Sequence, residues 1–430
     1  MKLLNYPHLG ERIYRQVLPN GLTVLVVPKP GFSRKLAYFV TDFGAIHTDF
    51  TLEGNTYHTP AGVAHFLEHK LFELPDRDVT AEFAALGGNV NAFTSFDITA
   101  YYVSCCDRFE ENLKLLLEFV STPYFTKDSV NREYGIIDQE IGMNEDTPDS
   151  RDFEALMQQM YASHPIRVPI LGSRESLRQI TPEVLSLCHR AFYAPANMAL
   201  CVVGDVQVEK VTEIARQVLG EEKKEIAKKL RPWKESMTCP ESEGTLHLEV
   251  SDQSFRLGFK CQPPEDGASA AAMDVIGYLG AEVLFGESSP LYLELYERGL
   301  IDSSFGGGFE TVDGCAFLTC GGDSPDPWAV RDAILKKAEE IARRGIEDAD
   351  FLRLKRGALG RRIRELDSFD ATCFRLCAYH FLSFDYFRFP EIYQNVTAEQ
   401  TRSFLENTVR RERSSLIVTK PIDKDKEENL

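Results

Sequence analysis

Residues 59–74 read TPAGVAHFLEHKLFEL, an apolar run that holds two histidines and a glutamate. Thr59 can cap a helix and Pro60 suits its first position, so a helix is expected to start there. On a helix, positions i and i+4 project from one face a turn apart, so His65 and His69 can grip one ion. Imidazole suits zinc, and three protein ligands leave a fourth position for water. Glu68, one turn from His65 and next to His69, can reach that water as a general base while staying outside the ligand set. Because zinc lowers the pKa of a water to about 7, a carboxylate of ordinary strength suffices. The order His-x-x-Glu-His inverts the commoner His-Glu-x-x-His motif. Two core histidines sharing a helix face would explain the spacing alone, but not the carboxylate in the base position.

A third ligand must come from elsewhere. Residues 131–146, NREYGIIDQEIGMNED, offer Glu133 and Glu140, seven apart and hence about two turns along one stripe. Ile136 and Ile137 accompany them, so the stripe is expected to face something packed, and either glutamate can complete the site. Asp138, Glu145 and Asp146 lie off the stripe and read as surface.

Around this motif the chain alternates strand and helix signals. Asn20-Gly21 between apolar runs reads as a hairpin, and an extended segment follows from Leu36. Residues 78–88 read as a short helix, 89–105 and 198–206 as strands. A run of alternating charge, EEKKEIAKKLRPWKES, lies near the midpoint. It is read as a linker over 221–238, between a zinc-binding domain at 1–220 and a second domain at 239–430. Beyond it come strand-like 245–261, a helical region over 268–285, helix-like LYLELYERGL, strand-like CAFLTCGG and a long charged helix from about Trp328 to Asp367. The order weakly repeats that of the first half, without its zinc motif. The expected fold is α+β, two similar domains each built as a largely antiparallel sheet packed with helices. The charged end KPIDKDKEENL is expected to fray.

Composition bounds the function. Of 430 residues 43% are hydrophobic, enough for sizeable cores. Asp and Glu number 66 against 48 Lys and Arg, a net charge of −18 that argues against nucleic acid and anionic membranes as partners. The opening MKLLNYPHLGERIYRQ lacks an apolar signal core, and no uninterrupted apolar run of spanning length is read in the sequence. The ten cysteines are scattered and read as reduced, buried thiols. These features lead to the expectation of a cytoplasmic protein.

The segments HFLEHKLF, NAFTSFDITAYY, EYGIIDQEI and the long run from His164 to Val206 resemble the pitrilysin and insulin-degrading-enzyme family of inverted-motif zinc peptidases. Its shorter members include the mitochondrial processing peptidases, and within it the chain is most similar to bacterial YmfH-type proteins. The resemblance implies His65, His69 and Glu140 as zinc ligands, Glu68 as base, and Glu133 as a carboxylate that orients the site. It further implies that each chain forms half of a peptidase chamber, and that a peptide adds as a strand along Asn91, Ala92, Phe93 and Thr94. Self-sufficient members carry an Arg and a Tyr four apart that hold substrate and the developing oxyanion. Here RGLIDSS keeps Arg298 but places Asp302 at the tyrosine position, and a carboxylate cannot donate there. Two expectations follow. One is a zinc endopeptidase acting on short or unfolded peptides. The other is a non-catalytic or partner-dependent peptide-binding or assembly subunit, including one accessory to the modification of another cytoplasmic protein. Asp302 favours a heterodimer with a related chain that lacks the zinc motif, with a homodimer as the alternative.

Overall fold

The computed structural model describes residues 1–75 and 77–422. The end of the charged tail, from Asp423 on, lies outside these residues. The chain forms two compact units, each assembled from separate stretches. The first comprises Met1–Ile141, Pro169–Pro232 and Arg362–Phe387; the second comprises Gly142–Val168, Trp233–Arg361 and Arg388–Leu430. The passage at Pro232–Trp233 falls inside the stretch read as a linker, but the units do not divide as 1–220 and 239–430. Residues 142–168 belong to the second unit and 362–387 to the first. The charged stretch also takes part in structure, because Lys228 and Lys229 pair with Thr51 and Phe50.

The first unit contains β1 (Lys2–Tyr6), β2 (Glu11–Val17), β3 (Thr23–Pro28), β4 (Lys35–Thr41), β5 (Asp49–Leu52) and β6 (Asn55–His58). It continues with the short pair β7 (Glu73–Leu74) and β8 (Arg77–Asp78), then β9 (Asn89–Thr94), β10 (Thr99–Cys105), β11 (Met198–Gly204) and β12 (Lys228–Lys229). Seven of these form one sheet in the order β1-β2-β3-β11-β4-β10-β9. β11 runs parallel to β3 and antiparallel to β4. Every residue of β11 is buried, as expected of a strand covered on both faces. On one face Val24, Val26, Phe39, Tyr101, Leu200 and Val202 join the main core with the helices α1 (Val63–Leu71) and α3 (Phe109–Ser121). On the other, the helix Phe369–Phe381 lies over β11 and β4.

The opening motif is helical, but its helix starts later than expected. Gly62, not Thr59, is the N-cap, with φ of 87°, and no side chain caps the helix. A Cβ at Gly62 would lie 2.4 Å from the Leu171 carbonyl oxygen, so the close approach of the two loops fixes the start. Thr59 instead bonds to Thr48, through both its amide and its hydroxyl. The short helix α2 (Val79–Ala85) is capped by Asp78, which accepts from the Ala81 amide at 2.9 Å. The long helix α4 (Lys127–Glu145) carries the two candidate glutamates.

The second unit holds β13 (Glu243–Leu248), β14 (Ser254–Cys261), β15 (Gly306–Val312), β16 (Cys315–Asp323) and β17 (Ser414–Pro421). Their order is β13-β17-β14-β16-β15, with β17 parallel to β13 and antiparallel to β14. Numbered by chain position, this is first-fifth-second-fourth-third, and β3, β4, β9, β10 and β11 of the first unit follow the same order. The weak repeat seen in the sequence is thus a repeat of topology.

One expectation for this unit differs from the structure. The charged stretch after Trp328 forms two helices, Pro327–Arg344 and Asp348–Arg364, separated at Gly345, whose φ of 82° ends the first. Residues 267–297 reach the length and mean apolarity of a membrane span, although Asp274 and Glu282 interrupt the apolar run. They break into the helices Gly267–Phe285 and Pro290–Glu297. Half of the most apolar window is buried inside the protein, and a Cβ at Gly277 would strike the Phe309 ring at 2.2 Å.

Candidate metal centre

Helix α1 presents His65 and His69 side by side, with ring centroids 4.5 Å apart. Helix α4 brings Glu140 against both: its Oε1 is 3.6 Å from His65 Nε2, and its Oε2 is 3.6 Å from His69 Nε2. Within this trio one ligand atom from each residue lies within 4.8 Å of the others, the only such group of three or more His, Cys, Asp or Glu among the described residues. The gap between each imidazole nitrogen and the carboxylate exceeds hydrogen-bond length, so no direct bond replaces an ion there.

The surroundings favour a cation. Glu133 Oε1 lies 3.0 Å from His69 Nδ1, so the ring donates to the carboxylate from Nδ1 and keeps its Nε2 lone pair toward Glu140. A carboxylate behind a ligating histidine fixes the tautomer and the ring orientation in just this way. Burial, aided by the His69 charge, pushes His65 down to about 3, so its ring stays neutral as a ligand requires. For His69 burial acts downward, but the bond it donates to Glu133 and the charges of Glu68, Glu133 and Glu140 outweigh it and raise its pKa. The donor set, two imidazoles and one carboxylate, matches zinc and leaves room for a fourth ligand.

Glu68 is buried beside the trio. Burial raises its pKa, and the neighbouring Glu140 adds to the rise, while the Thr94 hydrogen bond and His69 act against it. Thr94 Oγ1 donates to Glu68 Oε2 at 2.6 Å, which leaves Oε1 without that bond.

Of the four residues read as a peptide edge, all lie on β9, which among the described residues pairs only with β10 at the margin of the sheet. Asn91 and Phe93 alternate with Ala92 and Thr94, so successive side chains point to opposite faces. Arg298 belongs to the second unit, is exposed and pairs with Glu294 at 3.1 Å. Asp302 is also occupied: its Oδ1 accepts from the Ser304 amide at 2.8 Å and from the Ser304 hydroxyl. Those bonds hold its carboxyl below the usual range. It closes a turn before β15 and has no phenol-like proton to offer.

On α4, Ile137 is fully buried while Ile136 is half exposed, so the packed stripe includes only one of the two isoleucines. Asp138, read as plain surface, bonds Arg174 at 2.7 Å. The residue that sequence reasoning passed over is Lys70. It is completely buried, and its ammonium faces Glu73 and Glu133. The available signal was a lysine next to the second histidine of the motif, within a mostly buried helix.

The chain is similar to known zinc peptidases. Residues 53–174 match the family model "Insulinase (Peptidase family M16)", and residues 179–358 match "Peptidase M16 inactive domain". The "Uncharacterized zinc protease YmfH" of Bacillus subtilis is 35% identical over 98% of this chain and 99% of its own length. An "Uncharacterized zinc protease" of Rickettsia felis is 28% identical over 47% of this chain and 48% of its own. The crystal structure of an M16-like peptidase from Alicyclobacillus acidocaldarius superposes with a TM-score of 0.92 at 31% identity, covering 97% of this chain and all of that one. A protease from Helicobacter pylori shares the fold, with a TM-score of 0.81 at 20% identity over 96% of this chain and 100% of its own.

Proposed function

The chain belongs to the insulinase family of peptidases, M16, and on that premise we propose that it is a zinc-dependent endopeptidase acting on short or unfolded peptides. The observation that carries the proposal is the convergence of His65 Nε2, His69 Nε2 and the Glu140 carboxylate beside the buried Glu68. Zinc held by those three residues would supply Lewis-acid activation of a water molecule.

The remaining work falls to the chain's own groups. Glu68 takes the proton of the attacking water at Oε1, since Oε2 is engaged by Thr94, and passes it to the leaving amine nitrogen. Its burial, which raises its proton affinity, suits a group that must both accept and return a proton. Glu133 holds the His69 ring still. An extended peptide would add along the edge of β9, displacing the bond that the Ala92 amide donates to Asn91 Oδ1, with alternate side chains meeting Asn91 and Phe93.

The test pairs metal analysis with cleavage of a peptide library by the parent and by Glu68→Gln. Zinc in both proteins with cleavage only by the parent is the expected result. An inactive parent that contains zinc would overturn the reading for the isolated chain.

A second reading has its own support. Residues 179–358 match the family model described as inactive, and Asp302 is committed to Ser304. We therefore propose that full activity needs a partner, a related chain that supplies an oxyanion donor, in a cytoplasmic heterodimer.

A further inference from the structure

Lys70 sits on α1 immediately after the ligand His69, and none of its surface is exposed. Burying an ammonium costs several kcal/mol unless anions surround it. A methionine would fill a similar space without that cost, so the lysine calls for an explanation.

Two carboxylates face it. Glu73, one turn further along the chain, bonds its Nζ. Glu73 is already served by Arg132, whose Nη2 donates to Oε1 at 2.7 Å, so it does not depend on Lys70 for a counter-charge. Glu133 differs. Its Oε1 accepts from His69 Nδ1 at 3.0 Å, and its Oε2 lies 3.8 Å from Lys70 Nζ, an ion pair rather than a hydrogen bond. Among the described residues Lys70 is the lysine or arginine paired with Glu133. The Glu133 side chain is only 12% exposed, so water does little to stabilise it. A histidine that ligates a metal must be neutral and cannot supply the missing charge.

We infer that Lys70 is a positioning residue of the metal centre: its buried ammonium anchors one oxygen of Glu133 so that the other stays on His69 Nδ1. The inference rests on the zinc reading above. Without the ammonium, the Glu133 carboxylate loses its anchor and turns outward toward water. The His69 ring then loses the bond that aims its Nε2 at Glu140. A purely structural lysine, tying α1 to Glu73, would leave the ring untouched.

The experiment is a double-mutant cycle read as zinc affinity, by competition with a chromophoric chelator on metal-free protein. Loss of a group that orients a ligand typically weakens metal binding by about ten- to a hundredfold. Lys70→Met is expected to weaken zinc about tenfold in the parent and to change it less than about twofold in a Glu133→Gln background. Equal losses in both backgrounds, or none in the parent, overturn the inference. A parent that takes up no zinc refutes the metal reading instead, so the two failures are distinct. Thermal melting of the metal-free variants reports whether they fold. Should Lys70→Met not fold, Lys70→Gln, which can still donate to Glu73, takes its place with the same expected pattern.

Discussion

Thr94 Oγ1 donates to Glu68 Oε2 at 2.6 Å, so a residue of the edge strand holds the carboxylate proposed to move the proton. The two are 26 positions apart and on different elements. Glu68→Gln should keep zinc near one per chain and lose nearly all hydrolysis, because an amide cannot accept the proton. Thr94→Val should also keep zinc but lower kcat by about tenfold, since it frees the carboxylate without removing it. Parental turnover by Glu68→Gln would mean that another group is the base.

The two glutamates of α4 should separate in metal analysis. Glu140 faces both Nε2 atoms, whereas Glu133 touches only the far side of His69. Glu140→Gln is expected to lose most bound zinc, and Glu133→Gln to retain much more. Equal zinc in both variants and the parent would refute the ligand assignment.

Acid stability should carry the mark of His189. Burial, with a smaller contribution from Lys224, pushes its pKa from 6.5 down to about 4, and its Nε2 bonds the Val120 carbonyl at 3.0 Å. Between those pH values the unfolded chain binds a proton that the folded chain refuses. Stability therefore falls as pH drops from about 6.5 to about 4, at a rate of at most about 1.4 kcal/mol per pH unit. His189→Gln should flatten this limb in urea titrations at a series of pH values. It should not abolish it, because burial also pushes His380 down to about 4. An unchanged slope would show that His189 titrates normally.

Glu235 should matter to the second unit alone. Its carboxylate accepts from the amides of Ala162, Ser163 and His164 and pairs with Lys260, which is 2% exposed. Burial alone would raise its pKa, but these donors hold it down to about 2. Glu235→Gln strands the Lys260 charge and should cost about 3 kcal/mol. Both tryptophans, Trp233 and Trp328, lie in the second unit, so fluorescence-detected melting isolates the effect there. A shift in metal affinity without a shift in that melt would contradict the assignment.

The partner proposal is tested by mixing. The isolated chain should cleave peptides weakly, since loss of one oxyanion donor typically costs on the order of a hundredfold to a thousandfold. Addition of a related chain that lacks the zinc motif but keeps the Arg and Tyr should restore turnover. Full activity of the isolated chain, unchanged by any such partner, would remove the heterodimer.

The site was largely legible because its spacings are local. His65, Glu68 and His69 share one short helix, and Glu133 and Glu140 share another, so helical periodicity alone aligns each set. What periodicity cannot reveal is which element lies opposite. The Thr94 bond to Glu68 and the reach of Lys70 to Glu133 depend on tertiary packing across 26 and 63 positions. The helix start failed for a similar reason: Thr59-Pro60 is a sound capping signal, yet the loop at Leu171 leaves room only for Gly62. Domain boundaries were the least legible, because a sequence read end to end gives no sign that residues 362–387 return to the first unit.

That return has a consequence for synthesis on the ribosome. The helix Phe369–Phe381 covers the face of β11 and β4 on which Cys201 sits, and the Cys373 thiol reaches the Cys201 carbonyl at 3.8 Å. Until those residues emerge, the nascent first unit carries its zinc motif and its whole sheet but leaves an apolar face bare. At about 5–20 residues per second, the stretch from Pro232 to Phe387 takes on the order of ten to thirty seconds to make. Through that interval the face of β11 and β4 lacks the helix that covers it in the finished chain.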